Sequence, residues 1–301
     1  MTSAITPNYP IARIRISKFV IVESLESHET KTGRITADLL NELVADHAPV
    51  LKVQYEVCDS VAEFRTLVQS LAKEAFAGHE APVLHLECHG SESYGIEFAN
   101  GSCMAWDDLA ETLNVLNVAT SFNLLIILAA CYGGHLMGEM TAIRPAPCWG
   151  VVAPTKTIDP SDILRGFRTY YKTLLETGDA GHAAKQLADI PVSSGEWFAQ
   201  PAQTWFEKMV IEYIESHCNR YAAKARARDM AAMLRSEGVK TSCDAILESL
   251  RQTHRLNFIG KYFDTYFSTS QIPGANERFS TTRDRIAARI QEMRSTGKYY
   301  I

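Results

Sequence analysis

Two short stretches of the chain hold the residue types that nucleophilic catalysis needs. One reads Leu84-His85-Leu86-Glu87-Cys88-His89-Gly90 and the other Leu125-Ile126-Ile127-Leu128-Ala129-Ala130-Cys131-Tyr132-Gly133-Gly134. Each is an apolar run that ends in a reactive side chain followed closely by glycine. A thiol and an imidazole brought to one sheet edge can cleave an acyl bond: the imidazole promotes thiolate formation or protonates the leaving group, and the thiolate attacks the carbonyl. The glycines let the backbone approach a substrate, and nearby N–H groups can hold an oxyanion. Taken singly, a cysteine after an apolar strand is a small core residue and a His-Gly is a turn. Both ending core strands, 42 positions apart, they are a more specific signal. The candidate catalytic residues are therefore His89 and Cys131, with the N–H groups of Gly90 and Cys131 as the oxyanion hole. His135, four residues after Cys131, is an alternative base, expected to open a helix leading away from the edge.

Other reactive types have plainer explanations. Asp159 and Asp162 flank Pro160, where Asp159 or Ser161 can cap a helix and Asp162 sits in its first turn. Cys88 and Cys103 are structural residues or oxidation-sensitive neighbours of the candidate site. No Cys-x-x-Cys pair occurs, and His85 and His89 share a strand face rather than a helical ligand turn, so no metal is expected. No phosphate-binding glycine loop follows the first strand, and no cofactor is required by the chemistry above.

The elements that must position these residues alternate. Ile11 to Ile21, with Ile14 and Ile16 and running into Phe19-Val20-Ile21-Val22, reads as a strand, and Ile35 to His47 carries apolar residues at helical spacing. Val50 to Val57 alternates as a second strand. Ser60 with Glu63 forms a capping box for a helix through Leu71. Ala81 to Cys88 is a third strand, ending at His89-Gly90. Asn100-Gly101 signals a hairpin. Trp106 to Leu116 is a helix, Phe122 to Ala130 a strand buried on both faces, Trp149 to Ala153 another, and Ser161 to Thr177 an amphipathic helix. This order predicts an α/β fold, a mostly parallel sheet with helices on both faces. From Ser194 the strand pattern stops. Trp205 to Ala223, Ala225 to Ser236, Ser242 to His254 and Thr282 to Met293 read as helices, and Ser268 to Ser280 as a loop. The expected division is residues 1–193 and a helical extension, 194–301, either a partner-binding module or extra core. Its aromatics, among them Trp197, Trp205, Phe206, Tyr213, Phe258, Tyr262 and Phe263, are many for an unpacked segment.

The 301 residues, 46% hydrophobic and 22% charged, exclude disordered and low-complexity classes. No apolar run reaches membrane length, and no secretory leader is seen at the N-terminus. Seven cysteines, an odd number, argue against a disulfide scaffold and for a reducing cytoplasm. Residues 1–195 hold 14 basic against 23 acidic residues, and residues 196–301 hold 16 against 12. The acidic first part argues against nucleic-acid binding there and suits a basic substrate.

At Cys88-His89-Gly90 and Ala130-Cys131-Tyr132-Gly133 the chain resembles the caspase-like cysteine peptidases, and within them the CHAT branch shared with separase. Val151-Val152-Ala153, then Asp159, then a helix with Phe167-Arg168-Thr169-Tyr170-Tyr171, follow the CHAT order. The resemblance spans residues 11–188. It implies a caspase-hemoglobinase fold with His89 and Cys131 as catalytic dyad, acting on a protein or peptide. It also implies that Asp159 and Asp162 form an acidic floor for an Arg or Lys side chain of the substrate. Asp specificity is not implied, because Ala129 stands where caspases carry Gln and Tyr132 follows the cysteine. Such peptidases are commonly held inactive until a partner or signal arrives, and bacterial members often serve in defence. The helical extension would then receive a regulatory protein. Two other readings stay open: a catalytically silent scaffold of the same fold, and a flavodoxin-like binding module in which Cys131 is a core residue.

Overall fold

The computed structural model describes residues 14–78, 80–141, 143–255 and 258–301, without the side chains of 255 and 258. They divide into two compact units. The first runs to Glu139 and resumes over Pro147–Gln200; the second comprises Met140–Ala146 and Pro201–Ile301.

The first unit is an α/β sheet protein. Its elements are β1 (Lys18–Ser24), α1 (Thr32–His47), β2 (Lys52–Val57), α2 (Val61–Gly78), β3 (Pro82–Ser91), β4 (Gly95–Glu97), β5 (Cys103–Met104), α3 (Trp106–Ala119), β6 (Leu125–Ala129), a 3-10 helix (Gly133–Glu139), β7 (Gly150–Pro154), α4 (Pro160–Thr177), α5 (Ala180–Ala188) and β8 (Trp197–Pro201). The strand order is β2-β1-β3-β6-β7-β8, with the β4–β5 hairpin built onto β3. The pairs β1–β2, β1–β3, β3–β6 and β6–β7 are parallel. Every residue of β1, β6 and β7 is buried, as near-continuous apolar strands covered on both faces must be. Helix α1 packs against α4, and α2 against α3.

Several local signals act as expected. The Ser60 hydroxyl accepts the Glu63 N–H at 3.2 Å, although Glu63 reaches back to the amide of Asp59 rather than that of Ser60. At the hairpin the Phe98 N–H bonds Ser102 O, and Gly101 sits at φ +80°. Other boundaries differ. Strand β1 begins at Lys18, and the expected start at Ile11 lies outside the described residues. Strand β3 does not end at Cys88 but runs on through His89 and Gly90, because β4 pairs with its last three residues. The strand pattern does not stop at Ser194 either. Strand β8 joins the sheet, so the sheet unit extends past the expected boundary.

The second unit holds α6 (Ala202–His217), α7 (Arg220–Ser236), α8 (Cys243–Arg255), α9 (Phe258–Tyr266), α10 (Ala275–Arg278) and α11 (Ser280–Ser295). The single helix expected over Trp205–Ala223 is two, because Asn219 accepts the Tyr221 and Ala222 N–H groups and starts α7 anew. The expected loop at Ser268–Ser280 contains α10. Phe206, Phe263, Tyr266, Phe267 and Phe279 form one buried aromatic cluster, with ring centroids 4.4 to 5.9 Å apart. The unit therefore has a core of its own. Segment 140–146 belongs to it: the Trp205 Nε1–H donates to Met140 O, and the Ala146 N–H to Tyr266 O.

Candidate active site at the carboxyl edge of the sheet

The register of β3 against β6 pairs Val83 with Leu125 and Glu87 with Ala129, a constant offset of 42 positions. Continued two residues, it sets His89 opposite Cys131. The close approach is visible at Gly90. A Cβ there would lie 2.0 Å from Cys131 O and 3.1 Å from Cys131 N, so only glycine lets the two chains meet. Strand order reverses between β1 and β3, and in open α/β sheets ligands bind outside the carboxyl ends at such a point.

Cys131 opens a sharp turn. Tyr132 occupies the left-handed region at φ +59°, which costs a bulky residue on the order of 1–3 kcal/mol. Three bonds hold it: the Tyr132 N–H to Lys156 O, the Gly133 N–H to Ala130 O, and the His135 N–H to Tyr132 O. A Cβ on Gly133 would lie 3.0 Å from the Cβ atoms of both Leu128 and Ala153, tighter than ordinary contact. The 3-10 helix that follows brings His135 back over the turn rather than away from it. Its ring meets Tyr132 edge-on at 5.8 Å and stacks on Trp106 at 6.3 Å. The Trp106 Nε1–H donates to Ser91 O, fixing that wall to the end of β3.

The His89 side chain is half exposed. Its Nε2 lies 2.8 Å from Glu29 Oε1, in the β1–α1 loop. Sequence reasoning missed Glu29. Its only signal is a carboxylate in the loop that leaves β1 at the edge where His89 and Cys131 emerge. Cys131 is partly exposed, and Gly90 stands opposite Ile96 of β4.

On the same strand face, His85 and Glu87 are fully buried. His85 Nδ1 meets the Tyr171 hydroxyl at 2.6 Å, and its Nε2 meets Glu87 Oε1 at 2.8 Å. The Thr32 hydroxyl donates to Glu87 Oε2. Beside it, Glu23 accepts from the Tyr55 hydroxyl and the Arg34 N–H. This network is closed and satisfied, as buried polar groups must be. Cys88 is buried, and burial, then the nearby Glu87 and Cys131, push its thiol far up. The exposed Cys103 lies in β5.

Tyr132 N–H···O=C Lys156 ties the Cys131 turn to the β7–α4 loop that carries Asp159 and Asp162. Asp159 is at the N-cap position of α4 but makes no cap bond with its side chain. It is exposed and accepts the Ser193 hydroxyl at 3.0 Å. Asp162 is buried, with Oδ1 on Arg165 and Oδ2 on the Ser193 N–H. The Ser193 amide, opposed by burial and helped by the Ser193 hydroxyl and Arg165, holds its carboxyl below the usual range. The structure thus separates the pair: Asp162 fastens the 191–193 segment, and Asp159 presents its charge to solvent.

Among the described residues no three His, Cys, Asp or Glu side chains gather as a metal site, and no helix is long and apolar enough to cross a membrane. No protein-family model matches the sequence, and no curated protein matches it.

Proposed function

We propose that the chain is a caspase-like cysteine endopeptidase of the CHAT type, with His89 and Cys131 as its dyad. One observation carries this reading: a constant register brings a thiol and an imidazole, 42 residues apart, to the neighbouring carboxyl ends of β3 and β6, one strand over from the point where strand order reverses. Cys131 passes its thiol proton to His89 and attacks a peptide carbonyl, and the tetrahedral oxyanion sits against the N–H groups of Gly90 and Cys131. His89 protonates the departing amine, leaving an acyl-enzyme, and then draws a proton from the water that releases it. The exposed carboxylate of Asp159, tied through its loop to the Cys131 turn, suits an Arg or Lys before the scissile bond, since a guanidinium fork engages both carboxylate oxygens. Both carboxylate oxygens of Asp162 are already bonded within the chain, to Arg165 and the Ser193 N–H, so Asp159 is the stronger candidate of the two for that floor.

The chain leaves the Cys131 turn through the 3-10 helix and enters the helical unit at Met140, where Trp205 holds it. A regulatory protein bound to the helical unit would therefore act on a segment covalently joined to the nucleophile turn. That connectivity supports control of the Cys131 turn by a protein partner.

The test is a proteome-wide profile of cleavage sites with wild type and Cys131→Ala. New N-termini are expected with wild type and none with the variant, which removes one sulfur at nearly constant volume. Equal cleavage by both ends the protease reading at this site. No cleavage by either, with an unreactive Cys131, favours the silent scaffold of the same fold.

A further inference from the structure

We propose that Glu29 is the positioning residue of His89, turning the dyad into a Glu-His-Cys relay; this rests on the dyad reading above. The carboxylate is fixed at both oxygens. Oε1 lies 2.8 Å from His89 Nε2, and Oε2 accepts the Glu26 N–H at 2.6 Å. The turn that presents it is itself closed: the Glu29 N–H bonds Glu26 O, and the Lys31 ammonium donates to the carbonyls of Leu25 and Glu26. The loop leaves β1 and His89 lies near the end of β3, so Glu29 and His89 flank the place where strand order reverses.

A half-exposed contact between an imidazole and a carboxylate contributes little stability, so a carboxylate held at both oxygens here points to a role in orientation. A carboxylate only accepts, so the imidazole must carry its proton on Nε2 when neutral. Nδ1 is left as the nitrogen that exchanges a proton, and among the described residues it has no other polar partner. The arrangement is that of a base held in one tautomer by an acid that never reacts. His85, four residues earlier on the same face, shows the contrast: both its ring nitrogens are occupied, and it has no proton to exchange with a substrate.

The experiment uses the full chain labelled with 15N-histidine, in wild type, Glu29→Gln, Glu29→Asp and His89→Ala. Long-range proton–nitrogen spectra, taken where histidine is neutral, report the tautomer; iodoacetamide labelling followed by mass spectrometry reports the reactivity of Cys131. In wild type His89 is expected as the Nε2–H form. In Glu29→Gln the amide can turn its NH2 towards Nε2, so the Nδ1–H form appears and Cys131 alkylation slows by at least about tenfold. Glu29→Asp keeps the charge and recovers most of the rate. The His85 signals, buried against Tyr171, report that the fold is intact. An unchanged tautomer or an unchanged alkylation rate in Glu29→Gln, while His89→Ala slows alkylation, overturns the role of Glu29 and leaves the dyad standing. Should His89→Ala itself leave Cys131 alkylation unchanged, the dyad falls and the positioning role with it.

Discussion

The carboxyl edge of the sheet and the interior of the helical unit hold the same chemical groups under opposite conditions. At the edge, Cys131, Tyr132 and His89 are all partly open to solvent. Inside the helical unit, His254 is 5% exposed and its Nδ1 meets the Tyr299 hydroxyl at 2.7 Å. Tyr213 stacks on its ring at 6.2 Å, and the buried Cys218 lies in hydrogen-bond contact with Tyr213. Burial, then the charges of Arg226 and Arg294, hold His254 down to about 4. Burial pushes the Cys218 thiol up to about 12, against a lowering by Arg226 and a bond from Tyr213. A cysteine, a histidine and a tyrosine therefore do not make a site by being close. The strand ends leave them at a rim where backbone approach is possible; the helices close over them and suppress both the thiolate and the imidazolium.

The largest effect expected from this contrast is in thiol reactivity. A thiol raised by three pH units holds about 10³-fold less thiolate at a given pH, so iodoacetamide should modify Cys218, and Cys88 and Cys148 with it, at least that much more slowly than an open thiol. Cys131 should react fastest of all seven. Cys103 is the informative control, being exposed but without a histidine opposite it. If Cys103 reacts as fast as Cys131, exposure alone explains the edge and the contrast loses its chemical meaning.

The next effect is on stability. His254 binds a proton less readily folded than unfolded, so its contribution is fully present above about pH 6.5 and is lost as pH falls towards about 4, where the loss levels off. A displacement of that size corresponds to about 3 kcal/mol at most. Urea unfolding followed by Trp205 fluorescence should show this decline, and His254→Gln should flatten it. A profile in the variant as steep as that of wild type assigns the decline to other groups.

A smaller effect separates two histidines of one strand. His85→Phe leaves Glu87 Oε1 and the Tyr171 hydroxyl without their partner, a cost of about 1–3 kcal/mol. Its melting temperature should fall while Cys131 labelling is kept. His89→Ala should do the reverse, keeping the melting temperature and losing labelling. Matching behaviour of the two variants would mean that the strand face has no inside and outside in the functional sense.

Much of this edge was legible because its signals are local and abrupt. Leu124 to Ala130 is continuously apolar and then breaks into Cys-Tyr-Gly-Gly, and the 42-residue spacing equals the strand register. The rest depended on pairing that no short window contains. His89 reads as a residue after a strand, yet it lies within one, since Glu97 pairs with it from β4. Strand β8 is five residues, four of them half-buried, and ends in proline, so it carries no alternation to recognise. Glu29 sits among Glu26, His28 and Lys31, which read as a solvated loop; its partner is sixty positions away. His135 was expected to lead away because a helix start was foreseen there, but the tight 3-10 turn curls its ring back onto Tyr132 and Trp106. In the helical unit the periodicity found most helices but not the break at Asn219, where a side-chain cap interrupts an otherwise continuous apolar stripe.

The smallest effect concerns two carboxylates at the same helix start. Asp159 is exposed with one hydroxyl partner, whereas Asp162 is buried with both oxygens bound. Replacing Asp159 by Asn removes charge at nearly constant shape, and at an exposed position an ion pair with a substrate is worth about 1 kcal/mol. For peptides with Arg or Lys before the scissile bond, kcat/KM should fall about fivefold to tenfold, with little change for neutral residues. Asp162→Asn should instead lower stability, because it weakens the attachment of the 191–193 segment and leaves Arg165 without its carboxylate, and it should affect all peptides alike. Peptide libraries varied at that single position measure both variants. A uniform loss in Asp159→Asn, or cleavage of wild type after acidic or apolar residues, returns Asp159 to the role of a helix-start residue and nothing more.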